Sequence, residues 1–219
     1  MIEVQNKIVV IEGPRLAGKS RIVNYLGKLY TDGSYSCGVY PSPSTDWLFK
    51  HVVKDNSFNY IKEFKFIGKD EGRLESFVMG KELALTQRIN ACKETTLVDR
   101  YLITAAVYSH VFRELPVHVG ETYLEEMGSI ISKDFFHLKQ RLRFFVILPD
   151  ITRALNEGLL GREGKDELKD NRDLLQTQIN LYNKYAKMLK DMKFKVKIKD
   201  SYHLDPDVAR HIFEDVRDD

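Results

Sequence analysis

The chain has 219 residues, of which 43% are hydrophobic and 30% charged, and its formal net charge is +2. That length suits one globular domain with a sizeable core. The near-balance of charge argues against a surface for nucleic acid, and no apolar run approaches the ~20 residues needed to cross a bilayer. Cys37 and Cys92 have neither metal-ligand nor redox spacing. They are expected as reduced thiols of a cytoplasmic protein, whose first strand begins too soon for a secretory signal.

In chain order, strand-like runs at 7–11, 36–40, 95–98, 143–148 and 194–198 alternate with helical patterns. The helices are expected at about 21–30, 73–93, 101–114, 121–138, 150–159, 170–191 and 206–216, with Pro206 at the start of the last. Residues 50–72 carry Ile61, Phe64 and Phe66 without a decisive period. Strands alternating with helices imply parallel pairing and right-handed crossovers, hence a three-layer α/β/α sandwich around five parallel strands. Lysines alternating through the last strand place it at an edge. No repeat or interdomain linker interrupts the chain, so 1–219 reads as a single domain.

Directly after the first strand stands Gly13-Pro14-Arg15-Leu16-Ala17-Gly18-Lys19-Ser20, the pattern G-x-x-x-x-G-K-S. Glycines let backbone N–H groups turn inward around phosphate oxygens. Lys19 supplies a cation for the β- and γ-phosphates, the Ser20 hydroxyl can ligate Mg²⁺, and the next helix points its N-terminus at the anion. The expectation is a P-loop NTPase fold binding ATP·Mg²⁺, with Lys19 exposed when no nucleotide is bound. Asp99 closes the third strand, where a carboxylate meets the metal's water shell, and Arg100 beside it can grip an anion through two hydrogen bonds. Glu12 ends the first strand. It reads either as a base for a hydroxyl acceptor or as a strand-end carboxylate with a structural hydrogen bond.

With these residues in view, the chain resembles the thymidylate kinase family of nucleoside monophosphate kinases. Asp99-Arg100-Tyr101 is similar to that family's Asp-Arg-Tyr/His motif, and Phe77-Val78-Met79-Gly80-Lys81 stands where the family carries Phe-x-x-x-Arg. The resemblance implies that Phe77 stacks on the acceptor base and that Lys81 and Arg100 hold the acceptor phosphate. It places Thr104 and Tyr108 along the base pocket. Leu148-Pro149-Asp150 looks like the turn into the family's short lid, here about 153–172, with Arg153, Arg162, Lys165 and Arg172 among Gly158, Gly161 and Gly164. Arg162 is the leading lid cation, able to close on the transferring phosphoryl group. Ordinary alternatives exist for each: a core aromatic for Phe77, and solvated helix faces for Lys81 and the lid cations.

The chain departs from the family in three respects. Arg15 replaces an acidic residue and cannot accept a bond from a sugar hydroxyl, though it can face phosphates as a catalytic arginine. Val39-Tyr40-Pro41-Ser42 lacks the family's Arg-Glu-Pro-Gly, and Ala105 and Ala106 replace polar base-reading groups in some members. These changes bear on the acceptor, which is expected to be a small-molecule nucleotide, and leave phosphoryl transfer standing. Three other readings stay open: a nucleoside or modified-pyrimidine kinase acting on a hydroxyl, a regulatory NTPase without acceptor, and a noncatalytic homologue. The family often forms homodimers, and the apolar faces of 103–112 and 121–136 suit either that or the core.

Overall fold

An unbroken apolar run, Ile-Val-Val-Ile, makes a strand buried on both faces, and β1 (Ile8–Glu12) is the centre of the sheet. The computed structural model describes residues 6–14, 16–32, 37–41, 71–111, 115–152, 154, 172–200 and 205–219, with side chains except at 31–32, 37–41, 71–78, 81 and 205. After β1 come α1 (Lys19–Asp32), β2 (Cys37–Pro41), α2 (Glu71–Ala91), β3 (Thr95–Asp99) and α3 (Leu102–Val111). Then follow α4 (Val117–Asp134), α5 (Phe136–Arg141), β4 (Leu142–Leu148), α6 (Arg172–Asp191), β5 (Lys195–Asp200) and α7 (Asp205–Arg217). The five strands pair in parallel in the order β2-β3-β1-β4-β5, as the alternation of elements requires.

The period of two along each strand sorts the core into two layers. Val9 and Ile11 of β1, with Phe145 and Ile147 of β4, meet Ile22, Leu26 and Ile212 from α1 and α7. Ile8 and Val10, with Phe144 and Val146, meet residues of α2, α3, α4 and α6 on the other face. Each fully buried aliphatic side chain contributes about 1.5–3 kcal/mol. α1 leaves β1 on one face and α3 leaves β3 on the other. The carboxyl ends of these neighbouring strands therefore open a crevice where the chain changes sides, the place at which α/β sheets bind ligands.

Several boundaries differ from the sequence reading. The helix expected over 121–138 begins at Val117, behind Pro116, and breaks at Phe135, whose φ −128° and ψ 43° are not helical. The third helix is described as far as Val111, and the rest of its expected span, 112–114, lies outside the described residues. Most of 150–159, all of 50–70, and the lid residues 153 and 155–171 lie outside them too. β5 is an edge strand, as its lysines suggest, and the reason is specific. Lys197 and Lys199 reach Asp215 of α7 at 2.8 and 2.6 Å, and Lys195 reaches Asp219 at 2.7 Å.

The face of α3 considered for dimerisation is core: residues from Leu102 to Ser109 are buried within this chain. α4 crosses α3 so closely that a Cβ on Gly120 would lie 2.8 Å from the Ala106 carbonyl oxygen. No helix among the described residues is long and apolar enough to cross a membrane.

Candidate active site

The turn after β1 is shaped by backbone that side chains disfavour. Gly13 has φ +146°, and a Cβ there would stand 2.3 Å from the Ile147 carbonyl oxygen of β4. Gly18 (φ 73°) and Leu16 (φ 67°) are left-handed, the leucine at a cost of roughly 1–2 kcal/mol. The chain enters α1 with Ile22 N–H bonded to Gly18 O at 3.0 Å, so the first turn of α1 faces the loop. Arg15 lies outside the described residues.

Lys19 corrects an expectation. It is only 4% exposed, and its ammonium donates to the Pro14 carbonyl at 2.5 Å, spanning the loop. An ammonium has donors and no acceptor, and the loop itself supplies a carbonyl within its reach. Its aliphatic stem is packed as a consequence, so truncation at this position removes structure as well as charge.

Opposite the loop, Ser20 Oγ lies 3.4 Å from Asp99 Oδ2, and Asp99 Oδ1 is buried with no hydrogen-bond partner. A buried carboxylate oxygen without a donor beside a hydroxyl is the donor set a hard cation wants. Ser20 and Asp99 fit Mg²⁺, although no cluster of three or more His, Cys, Asp or Glu side chains suited to a metal exists among the described residues. Nucleotide phosphates and water complete the coordination sphere in sites of this kind.

Arg100 follows with φ 70°, its N–H held by Ile11 O at 2.9 Å. Its Nη1 donates to the Tyr108 hydroxyl at 2.5 Å and its Cζ lies 5.6 Å from that ring's centre. Arg100 and Tyr108, both expected on the acceptor side, are thus brought together on β3 and α3. Thr104, expected along the base pocket, is instead fully buried, its hydroxyl donating to Glu12 Oε2 at 2.5 Å and lying 2.9 Å from the Tyr182 hydroxyl. The side chains of Phe77 and Lys81 lie outside the described ones, on α2, and Arg162 lies outside the described residues altogether.

Glu12 proves to be a helix cap reached from another strand. Its carboxylate accepts from the N–H groups of Tyr101 (2.9 Å), Ile103 (3.0 Å) and Thr104 (3.2 Å), which are the orphan donors at the start of α3. Burial pushes its carboxyl up to about 7, while these donors, led by the Thr104 hydroxyl, pull the other way. Each of its oxygens already accepts two hydrogen bonds from the start of α3, which commits Glu12 to structure rather than to a hydroxyl acceptor. Behind it, Glu82 of α2 is also fully buried, with Oε2 unpartnered, and burial together with the Glu12 charge pushes its carboxyl up to about 8. Two neighbouring buried carboxyls avoid sharing charge when the one lacking donors keeps its proton. Thr86, one turn along α2 from Glu82, hydrogen-bonds the Tyr101 hydroxyl.

Three buried polar side chains close to this region escape a motif search: Glu82, Tyr182 and Gln178. Gln178, on α6, is wholly buried with both carboxamide atoms unpartnered. Mutational data put the cost of hiding such an amide at about 1–3 kcal/mol. The available signal was helical periodicity: a glutamine stands where the stripe Leu175, Leu181, Tyr182, Tyr185 asks for an apolar residue.

No protein-family model matches the chain, and no curated protein matches it. Solved structures do. Deoxyadenosine kinase from M. mycoides with bound dATP aligns at TM-score 0.61 and 14% identity, covering 95% of this chain and 98% of that one. The YorR protein from Bacillus subtilis, in complex with phosphorylated GDP, aligns at TM-score 0.51 and 15% identity, covering 96% and 95%. At such identities the likeness is one of fold, and it extends over nearly the whole length of each chain.

Proposed function

We propose that this chain is an ATP-dependent nucleotide kinase, moving the γ-phosphoryl group of ATP to a (deoxy)nucleoside monophosphate. One observation carries the reading: the phosphate loop, the Ser20–Asp99 pair and the Arg100–Tyr108 pair converge on the crevice between β1 and β3. The solved structures of similar fold carry nucleotides, which supports a nucleotide as donor or acceptor here.

In this reading Lys19 leaves the Pro14 carbonyl for the β- and γ-oxygens of ATP. Ser20 and Asp99 would hold Mg²⁺, which would spread charge off those oxygens. Arg100, propped on Tyr108, holds the acceptor phosphate in line, with Lys81 and Phe77 on α2 as further acceptor contacts. An acceptor phosphate oxygen attacks the γ-phosphorus, the bond from that phosphorus to the β-bridging oxygen breaks, and ADP leaves. An ionised phosphate needs no base at neutral pH, so positioning and charge stabilisation suffice. Arg15 and the lid of 153–172, with Arg162, complete the cationic cage within the same single domain.

A hydroxyl acceptor is the second reading, favoured by the deoxyadenosine kinase likeness. It needs a carboxylate to take the proton, and Glu12 is committed to capping α3. Incubation with ATP·Mg²⁺ and a panel of nucleosides and nucleoside monophosphates, read by product mass, separates the two. Diphosphate products support the proposal. Monophosphates formed from nucleosides alone overturn it in favour of the second reading, and ADP formed equally without any acceptor overturns both.

A further inference from the structure

The crevice described above needs something to recognise the part of the acceptor that is not phosphate, and α6 holds the candidate. Gln178 lies four residues before Tyr182, on the same buried face. Tyr182 fixes where that face points. Its hydroxyl lies 2.9 Å from Thr104 Oγ1 on α3, and it stands within electrostatic reach of both Arg100 and Tyr108. α6 leads directly into β5, which runs parallel to the other strands, so the helix itself runs back against them. Its N-terminal turns therefore lie toward the strands' carboxyl ends. Gln178 sits about 6 Å nearer that end than Tyr182, on the side of the sheet where Arg100 and Tyr108 stand.

Its carboxamide is sealed from water, and neither Oε1 nor Nε2 has a partner. Such a group presents an N–H donor and a carbonyl acceptor side by side in one plane. An ionised phosphate could satisfy only the donor, and a single hydroxyl only one atom at a time. The edge of a nucleobase sets a donor beside an acceptor and satisfies both at once.

We propose that Gln178 reads the acceptor's base, through a paired hydrogen bond to a base edge that presents a donor next to an acceptor. This rests on the nucleotide-kinase reading above. The role is one of specificity: Gln178 touches no reacting atom.

The test compares wild type with Gln178→Leu and Gln178→Met in the full chain. For each, the melting temperature without ligand, KM for the preferred acceptor, KM for ATP, and Ki for deoxyribose 5-phosphate as a base-free probe are measured. The expected result is an unchanged or raised melting temperature, a rise of at least tenfold in acceptor KM, and ATP KM and probe Ki within twofold of wild type. Unchanged acceptor KM overturns the assignment, as does an equal weakening of the base-free probe or failure of both variants to fold. A wild-type protein that phosphorylates nothing in the acceptor panel overturns the kinase reading itself, and with it this one. That outcome is distinguishable, because it appears before any substitution is made.

Discussion

Charge placement at single residues governs what the crevice can do. Because Lys19 is packed against its own loop, a truncation to alanine would mix loss of charge with loss of packing. Lys19→Met keeps most of the stem. It should reduce kcat/KM by at least 10³-fold, about 4 kcal/mol of transition-state stabilisation, with a circular dichroism spectrum like wild type. Activity within tenfold of wild type in a folded Met variant would remove Lys19 from the chemistry. Arg100 makes a different claim. Its guanidinium is seated on Tyr108, so Arg100→Ala should raise acceptor KM by ten- to a hundredfold while moving ATP KM less than threefold. Equal losses for the two substrates would show that Arg100 serves the loop instead.

Among the elements, α3 and α6 are held by devices at their ends. α3 starts against Glu12, a carboxylate from the adjacent strand, so the first turn of the helix is anchored to the strand that leads into the phosphate loop. The end of α6 is a Schellman turn: Phe194 N–H bonds to Leu189 O at 3.0 Å and Lys193 N–H to Lys190 O at 2.9 Å. The residue in the left-handed position is Lys193, φ 66°, where glycine is usual. Lys193→Gly should therefore stabilise the protein by about 0.5–1 kcal/mol, relief of the left-handed strain being partly offset by the freer unfolded chain. The measurement is the urea midpoint, and a lower midpoint would mean that the lysine side chain contributes more than its backbone strain removes.

For the molecule as a whole, the buried carboxyls set how stability varies with pH. Glu82 titrates near 4.5 when unfolded and at about 8 when folded. Between those values the folded state keeps a proton that the unfolded state has lost, so stability falls as pH rises through the window. Glu12, pushed up to about 7, adds to the same slope. Asp215 and Asp219, held low by their lysine and arginine partners despite partial burial, act oppositely, and only in acid below the ordinary aspartate value of 3.8. The melting temperature should therefore be higher at pH 5.5 than at pH 8.5, and Glu82→Gln should reduce that difference without removing it. A wild-type protein more stable at pH 8.5 would show that Glu82 is ionised in the fold.

Local chemistry made much of this legible in the chain. An apolar run followed by G-x-x-x-x-G-K-S specifies a buried strand, a tight turn and a helix within a few residues. The lysines of β5 announce an edge because only an edge strand lets so many charges reach water or a flanking helix. Neighbours far apart in sequence were hidden. Glu12 looked available as a base until α3 brought three N–H groups to it, and Lys19 looked exposed until the loop offered it a carbonyl. Gln178 and Glu82 sit on different helices from the phosphate loop, and beyond the place of Gln178 in an apolar stripe nothing local marks them as polar groups sealed within the fold. Strand, loop and helix were readable from periodicity and backbone freedom. The assignment of each carboxylate and amide came from packing, which alone decides the groups that share a buried volume.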